Sequence, residues 1–199
     1  MQPILHPTEQ VRQYEQVANE LLAAARTSAL SWNESLRLGR ILFFLSIDNP
    51  RKQPAAEQYL EQLTRQFPDR ALVSMYQATL LAMRARNTHW PLEKYQMVTQ
   101  ALAEMNRIIA RGFGPELLEM RFLRAAVLYH LPAIFGKQQL ARQELRWVYR
   151  ELTTKHTALE PELLDKIFNF LLLTEQVLLA HERTWLLSQQ LAMRNQAKG

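Results

Sequence analysis

Apolar residues recur along most of the chain three or four residues apart, the spacing of an α-helix, and short polar stops separate the runs. No segment alternates apolar and polar residues for long enough to predict a β-strand. The pattern therefore predicts an all-α protein. Its nine helices are expected at residues 8–26, 31–47, 54–67, 71–85, 91–111, 116 to 130 or 131, 137–152, 162–179 and 184–194.

Local capping signals support several of these boundaries. Ser31 and Glu34 form the capping-box pattern S-W-N-E, in which each side chain bonds the other residue's backbone N–H at a helix start. Four helices are expected to begin at or next to a proline, which is tolerated there because the first N–H groups have no intrahelical partner. These prolines are Pro54, Pro91, Pro115 and Pro161.

The stretch YHLPAIFGK, residues 129–137, predicts a sharp corner between the sixth and seventh helices. Pro132 cannot continue the preceding helix, and Gly136 can adopt the positive φ of a tight return. We expect Ile134 and Phe135 to plug the end of this helical hairpin.

A repeated spacing links three of the helices. Each carries a small residue followed by large apolar residues four and seven positions later. The three sets are Ala56, Leu60, Leu63; Ala101, Met105, Ile108; and Ala141, Leu145, Val148. The preceding helices carry small residues that would let a partner helix approach closely. These are Gly39, Ala78 and Ala125.

With this repeat and Pro68 at the exit, the chain resembles the tetratricopeptide-repeat superfamily over residues 31–152. The resemblance implies a right-handed α-solenoid of antiparallel hairpins, with about eight or nine helices in one domain. An N-terminal helix at 8–30 and C-terminal capping helices at 160–199 would flank the hairpins. The tryptophan and tyrosine signatures of the family's first helix are absent, and the repeat is longer than its usual 34 residues. A generic helical bundle is the alternative.

The composition and motifs limit the cellular location and the activities expected of the protein. The chain has 199 residues, no cysteine and no sequence typical of a signal peptide, and its apolar runs are too short to span a bilayer. We therefore expect a cytoplasmic protein without membrane insertion. No zincin, di-iron, phosphate-loop or nucleophile-elbow motif occurs. The sequence predicts no enzyme activity, no catalytic residues, no metal and no cofactor.

If the repeat register holds, the first helix of each hairpin would line a concave groove that binds an apolar or amphipathic segment of another protein. Such a module would act as an adaptor, assembly factor or chaperone-like protein. Methionines and aromatics suit an adaptable lining. The alternative is that these residues are core, covered by the terminal helices. The predicted lining comprises Leu36, Arg40, Phe43, Phe44, Met75, Met83, Phe122, Tyr129 and His130.

A second surface is a basic stripe on the seventh helix. Arg142, Arg146 and Arg150 share one helix face, and the chain carries a net charge of +5. Such a face could meet an acidic partner or the phosphates of nucleic acid, which is the alternative function. It lacks the interleaved aromatics of single-strand binders. A merely solvated face is the other interpretation.

Overall fold

The computed structural model describes residues 7–112, 114, 116–154, 159–174 and 177–196. Within these ranges every regular element is helical, which confirms the all-α prediction. Short 3-10 helices at Pro50–Lys52 and Ala133–Phe135 contribute to two of the connections. None of the described helices combines the length and apolar character needed to cross a bilayer. The nine described α-helices are α1 (Pro7–Thr27), α2 (Trp32–Asp48), α3 (Gln53–Gln66), α4 (Ala71–Asn87), α5 (Pro91–Arg111), α6 (Glu116–His130), α7 (Gln138–Thr154), α8 (Pro161–Leu173) and α9 (Ala180–Gln196).

The chain divides into two compact units, Met1–Glu104 and Met105–Gly199. In the first unit α1 packs on α2, α2 on α3, and α3 on α4. In the second unit α6 packs on α7, and α8 packs on α9. In these five pairs, helices that are consecutive in the chain pack against each other, as helical hairpins require. The domain limits predicted near residues 31, 152 and 160 stay predictions.

The repeated positions lie in the core. All nine residues of the three sets are buried, with at most 5% of each exposed. The small residues of the preceding helices are buried as well, and Gly39 shows why size matters there. A Cβ atom on Gly39 would lie 3.1 Å from Cδ2 of Leu60, so α2 and α3 approach closely at this point.

The capping signals predicted at Ser31 and at the prolines are confirmed where the structure describes them. Ser31 N–H donates to Glu34 Oε2 at 2.8 Å, and Glu34 N–H donates to Ser31 Oγ at 3.3 Å. The bonds from the Ser31 side chain and backbone also lower the pKa of the Glu34 carboxyl. Pro91 and Pro161 begin their helices, and Pro54 lies in the first turn of α3. Pro115 lies outside the described residues.

The corner between α6 and α7 differs in one respect from its prediction. Gly136 has φ of +60°, as the tight return requires, and it follows a 3-10 turn. Ile134 does not plug the hairpin, because 91% of it is exposed, so that prediction was wrong. Successive residues of a 3-10 turn point about a third of a turn apart. Half-buried Phe135 faces the protein while Ile134 faces away.

Candidate partner-binding surfaces

Most of the predicted groove lining is core. Six of its nine residues are buried, and this corrects the expectation that they form an open surface. These six residues belong to the core, as the alternative interpretation of the sequence proposed. A role in partner binding stays a prediction, and it would require these side chains to leave the core. The six residues are Leu36, Arg40, Phe43, Phe44, Met75 and Phe122.

Aromatic contacts explain this burial within each unit. In the first unit, the Tyr14 ring of α1 lies 5.8 Å from Phe44 between centroids, and Phe43 lies 4.9 Å edge-on to Tyr76 of α4. In the second unit, Phe122 of α6 meets the Phe170 ring of α8 at 5.6 Å. Helices α1 and α8, which lie outside the predicted repeat, thus help to cover Phe44 and Phe122, whereas Phe43 is covered from within the repeat by α4. Edge-to-face packing adds to the stability gained from their burial.

Three predicted lining residues remain at least partly accessible. Met83 is half-buried, whereas Tyr129 and His130 are exposed on the last turn of α6. The rings of Tyr129 and His130 each lie 5.7 Å from Phe170, so both rest against α8. Their predicted contact with a partner stays a prediction.

The sequence interpretation missed a group of exposed apolar side chains at the start of α5, here called the Trp90 patch and defined as Trp90, Leu92 and Tyr95. Their exposed fractions are 75%, 70% and 57%. Leu92 and Tyr95 lie in the first two turns of α5, before the buried stripe that includes Val98 and Ala101. The sequence signal was the cluster of three large apolar residues within six positions, but spacing alone does not show their exposure, because Tyr95 lies only three residues before the buried Val98.

The predicted arginine stripe lies on one face of α7. Arg142, Arg146 and Arg150, together with Gln139 and Gln143, line an open depression of about 420 Å³, here called the arginine face. All five lining residues carry nitrogen donors, and none carries a carboxylate. The placement on one face agrees with the prediction, while the ligand remains a prediction.

The central arginine of this face also connects α7 to α9. Arg146 forms an ion pair with Glu182, and its guanidinium donates to the Val177 carbonyl at 3.3 Å. Burial raises the pKa of Glu182, but hydrogen bonds from Leu179 N–H and Arg146 outweigh it, so the net pKa is lowered. Burial raises the pKa of the neighbouring Tyr149, and the Glu182 charge adds to that increase.

Two arginines that are near the stripe in sequence belong to a different cluster. Arg124 of α6 donates to Glu144 of α7 at 2.7 Å and to Asn106 at 2.8 Å. Arg121 lies 3.8 Å from the same carboxylate and stacks over the Trp147 ring, 4.2 Å from its centroid. This buried charge cluster joins α6 to α7 and is not part of the arginine face.

Comparison of the chain with protein-family models, curated proteins and solved structures found no match. The interpretation of these surfaces therefore rests on their own residues.

Proposed function

We propose that this protein is a non-catalytic module that binds another protein. The Trp90 patch is the observation that supports the proposal. Tryptophan and tyrosine are enriched among the residues that dominate protein–protein binding energy. A cluster of exposed apolar side chains is more informative than a single one, because isolated exposed apolar residues are ordinary on protein surfaces.

The patch offers enough apolar area to matter energetically. Its exposed fractions, 75%, 70% and 57%, amount to about two whole large side chains. Burying a large apolar side chain contributes about 1.5–3 kcal/mol, so covering the patch would contribute roughly 4 kcal/mol before the costs of association. This is the size expected of an interface anchor and not of a complete interface.

The proposal also includes the way in which the helical hairpins are arranged. We infer that the hairpins follow a right-handed α-solenoid of the tetratricopeptide type. The equivalent burial of the three repeated sets supports this, as does the close approach at Gly39. Repeat proteins of this kind commonly bind other proteins, which agrees with the role proposed for the patch.

The test compares two variants by affinity purification and by direct binding. Trp90→Ser plus Leu92→Ser removes most of the patch, whereas Leu22→Ser plus Ile134→Ser removes two exposed apolar residues from other places. Proteins that the wild type captures are identified by mass spectrometry, purified and titrated against each variant. We expect the patch variant to bind these partners at least about tenfold more weakly than the wild type does. A tenfold rise in Kd corresponds to the loss of about 1.4 kcal/mol of binding free energy, the least expected when an interface anchor is removed.

Circular dichroism and thermal melting establish that both variants are folded. Equal affinity of the wild type, the patch variant and the control for every captured partner would reject the assignment of the patch.

A further inference from the structure

We propose that the arginine face of α7 binds a short acidic segment of a partner protein. The inference rests on the proposed protein-binding function, but it concerns a different surface and a different chemistry from the Trp90 patch. The arginine face supplies three guanidinium groups, which only donate hydrogen bonds, and two amide groups, which can both donate and accept. Carboxylates are their natural ligands, because the planar guanidinium fork matches the two oxygens of a carboxylate.

The spacing of the arginines suits several carboxylates in a row. Residues four apart in an α-helix are separated by a rise of about 6 Å, so Arg142 to Arg150 covers about 12 Å of α7. Both end residues are exposed, whereas Arg146 is partly buried. An acidic segment lying along α7 would therefore meet the positive charges of Arg142 and Arg150 at the two ends of the arginine face.

The protein already contains one example of the proposed contact. Glu182 approaches the arginine face from the start of α9 and forms an ion pair with Arg146. The Leu179 N–H donates a hydrogen bond of 2.7 Å to the same carboxylate oxygen. A carboxylate is thus accommodated beside the depression, and Arg142 and Arg150 present the same chemistry on either side of it.

The observations favour an acidic peptide over nucleic acid. None of the side chains that line the depression is aromatic, so the arginine face has no platform on which bases could stack. Since Arg146 is paired with Glu182, the exposed Arg142 and Arg150, about 12 Å apart, match a short acidic segment with few carboxylates. A protein that makes about six to ten phosphate contacts with nucleic acid would need a longer basic face.

The test measures fluorescence anisotropy of two labelled probes with the full chain at about 50 mM salt. One probe is a fluorescein-labelled peptide of eight glutamates, and the other is a single-stranded oligonucleotide with eight phosphates. Arg142→Gln plus Arg150→Gln removes the ends of the arginine face but leaves the Arg146–Glu182 ion pair. The matched control, Arg12→Gln plus Arg26→Gln, removes the same charge from exposed positions of α1.

We expect the glutamate peptide to bind the wild type and the control equally. Its Kd for the arginine-face variant should rise at least about fivefold, since two ion pairs are lost. Absence of peptide binding to the wild type, or an equal loss in the control variant, overturns the proposal. Tighter binding of the oligonucleotide than of the peptide also overturns it and assigns the face to phosphates.

The result can be separated from the test of the Trp90 patch. The variant Trp90→Ser plus Leu92→Ser should retain full affinity for the glutamate peptide, because neither residue lines the arginine face. A failed patch test with intact peptide binding rejects the patch alone. The reverse pattern rejects the arginine face alone.

Discussion

Replacing Glu144 with alanine should destabilise the α6–α7 hairpin far more than an ordinary salt-bridge mutation would. Glu144 accepts a hydrogen bond from Arg124 at 2.7 Å and lies 3.8 Å from Arg121. The exposed fractions of these three side chains are 8%, 12% and 27% in that order. Alanine would leave two largely buried positive charges beside each other without their shared counter-charge.

The expected loss follows from this burial. Removing one partner of a buried ion pair costs about 3–5 kcal/mol, because the remaining charge stays desolvated. The lower end applies here, since Arg121 reaches water and Arg124 keeps its bond to Asn106. We expect a loss of about 3 kcal/mol, which corresponds to roughly a hundredfold increase in local opening. Glu144→Gln should lose less, because its amide oxygen can still accept the bond from Arg124.

Hydrogen exchange followed by mass spectrometry suits this measurement, because it reports on α6 and α7 separately from the first unit. The matched control is Glu61→Ala on α3. Glu61 accepts a bond of 2.6 Å from Arg65, but 61% of its side chain and 76% of the arginine's are exposed. An exposed pair of this kind contributes at most about 0.5 kcal/mol.

The two substitutions thus remove the same chemical group from similar helices and differ mainly in burial. A loss below about 1 kcal/mol for Glu144→Ala, or a loss equal to that of Glu61→Ala, would refute the reasoning. The cluster would then be solvated in solution and would not hold the hairpin together.

Three further predictions concern the loss of stability at acidic pH, the close contact between α2 and α3 at Gly39, and the Ser31 cap. Because the folded pKa of Glu182 is lowered, its contribution is present above about pH 4.5 and is lost as pH falls further. The difference in unfolding free energy between the wild type and Glu182→Gln should shrink in acid urea titrations. Gly39→Leu should cost about 2 kcal/mol or more in urea unfolding. Gly39→Ala should stay within about 1 kcal/mol, because the one tight contact of its Cβ is with the flexible end of Leu60. Ser31→Ala should lower stability by about 1 kcal/mol in thermal melts, and an unchanged Tm would contradict the capping role.

Local signals in the sequence determined most helix starts and stops. The Ser31 cap, the proline starts and the turn at Gly136 each depend on a few neighbouring residues, so they could be identified without the fold. The end of α8 and the start of α9 could not. The sequence predicted an eighth helix to residue 179 and a ninth from residue 184, but α8 ends at Leu173 and α9 begins at Ala180. The cap there depends on Glu182, whose carboxylate is also held by Arg146 from a distant part of the chain.

The periodicity of the chain determined which side of each helix is apolar, and the three repeated sets are buried as it predicted. Periodicity does not determine what covers an apolar side. Only the tertiary structure placed Tyr14 against Phe44 and Phe170 against Phe122, and this made core residues of a predicted groove. The same holds for charge. The period of an α-helix places the three arginines of α7 on one face. Only folding could bring Glu144 to Arg124 and Glu182 to Arg146, because the energy of an ion pair depends on distance in space and not along the chain.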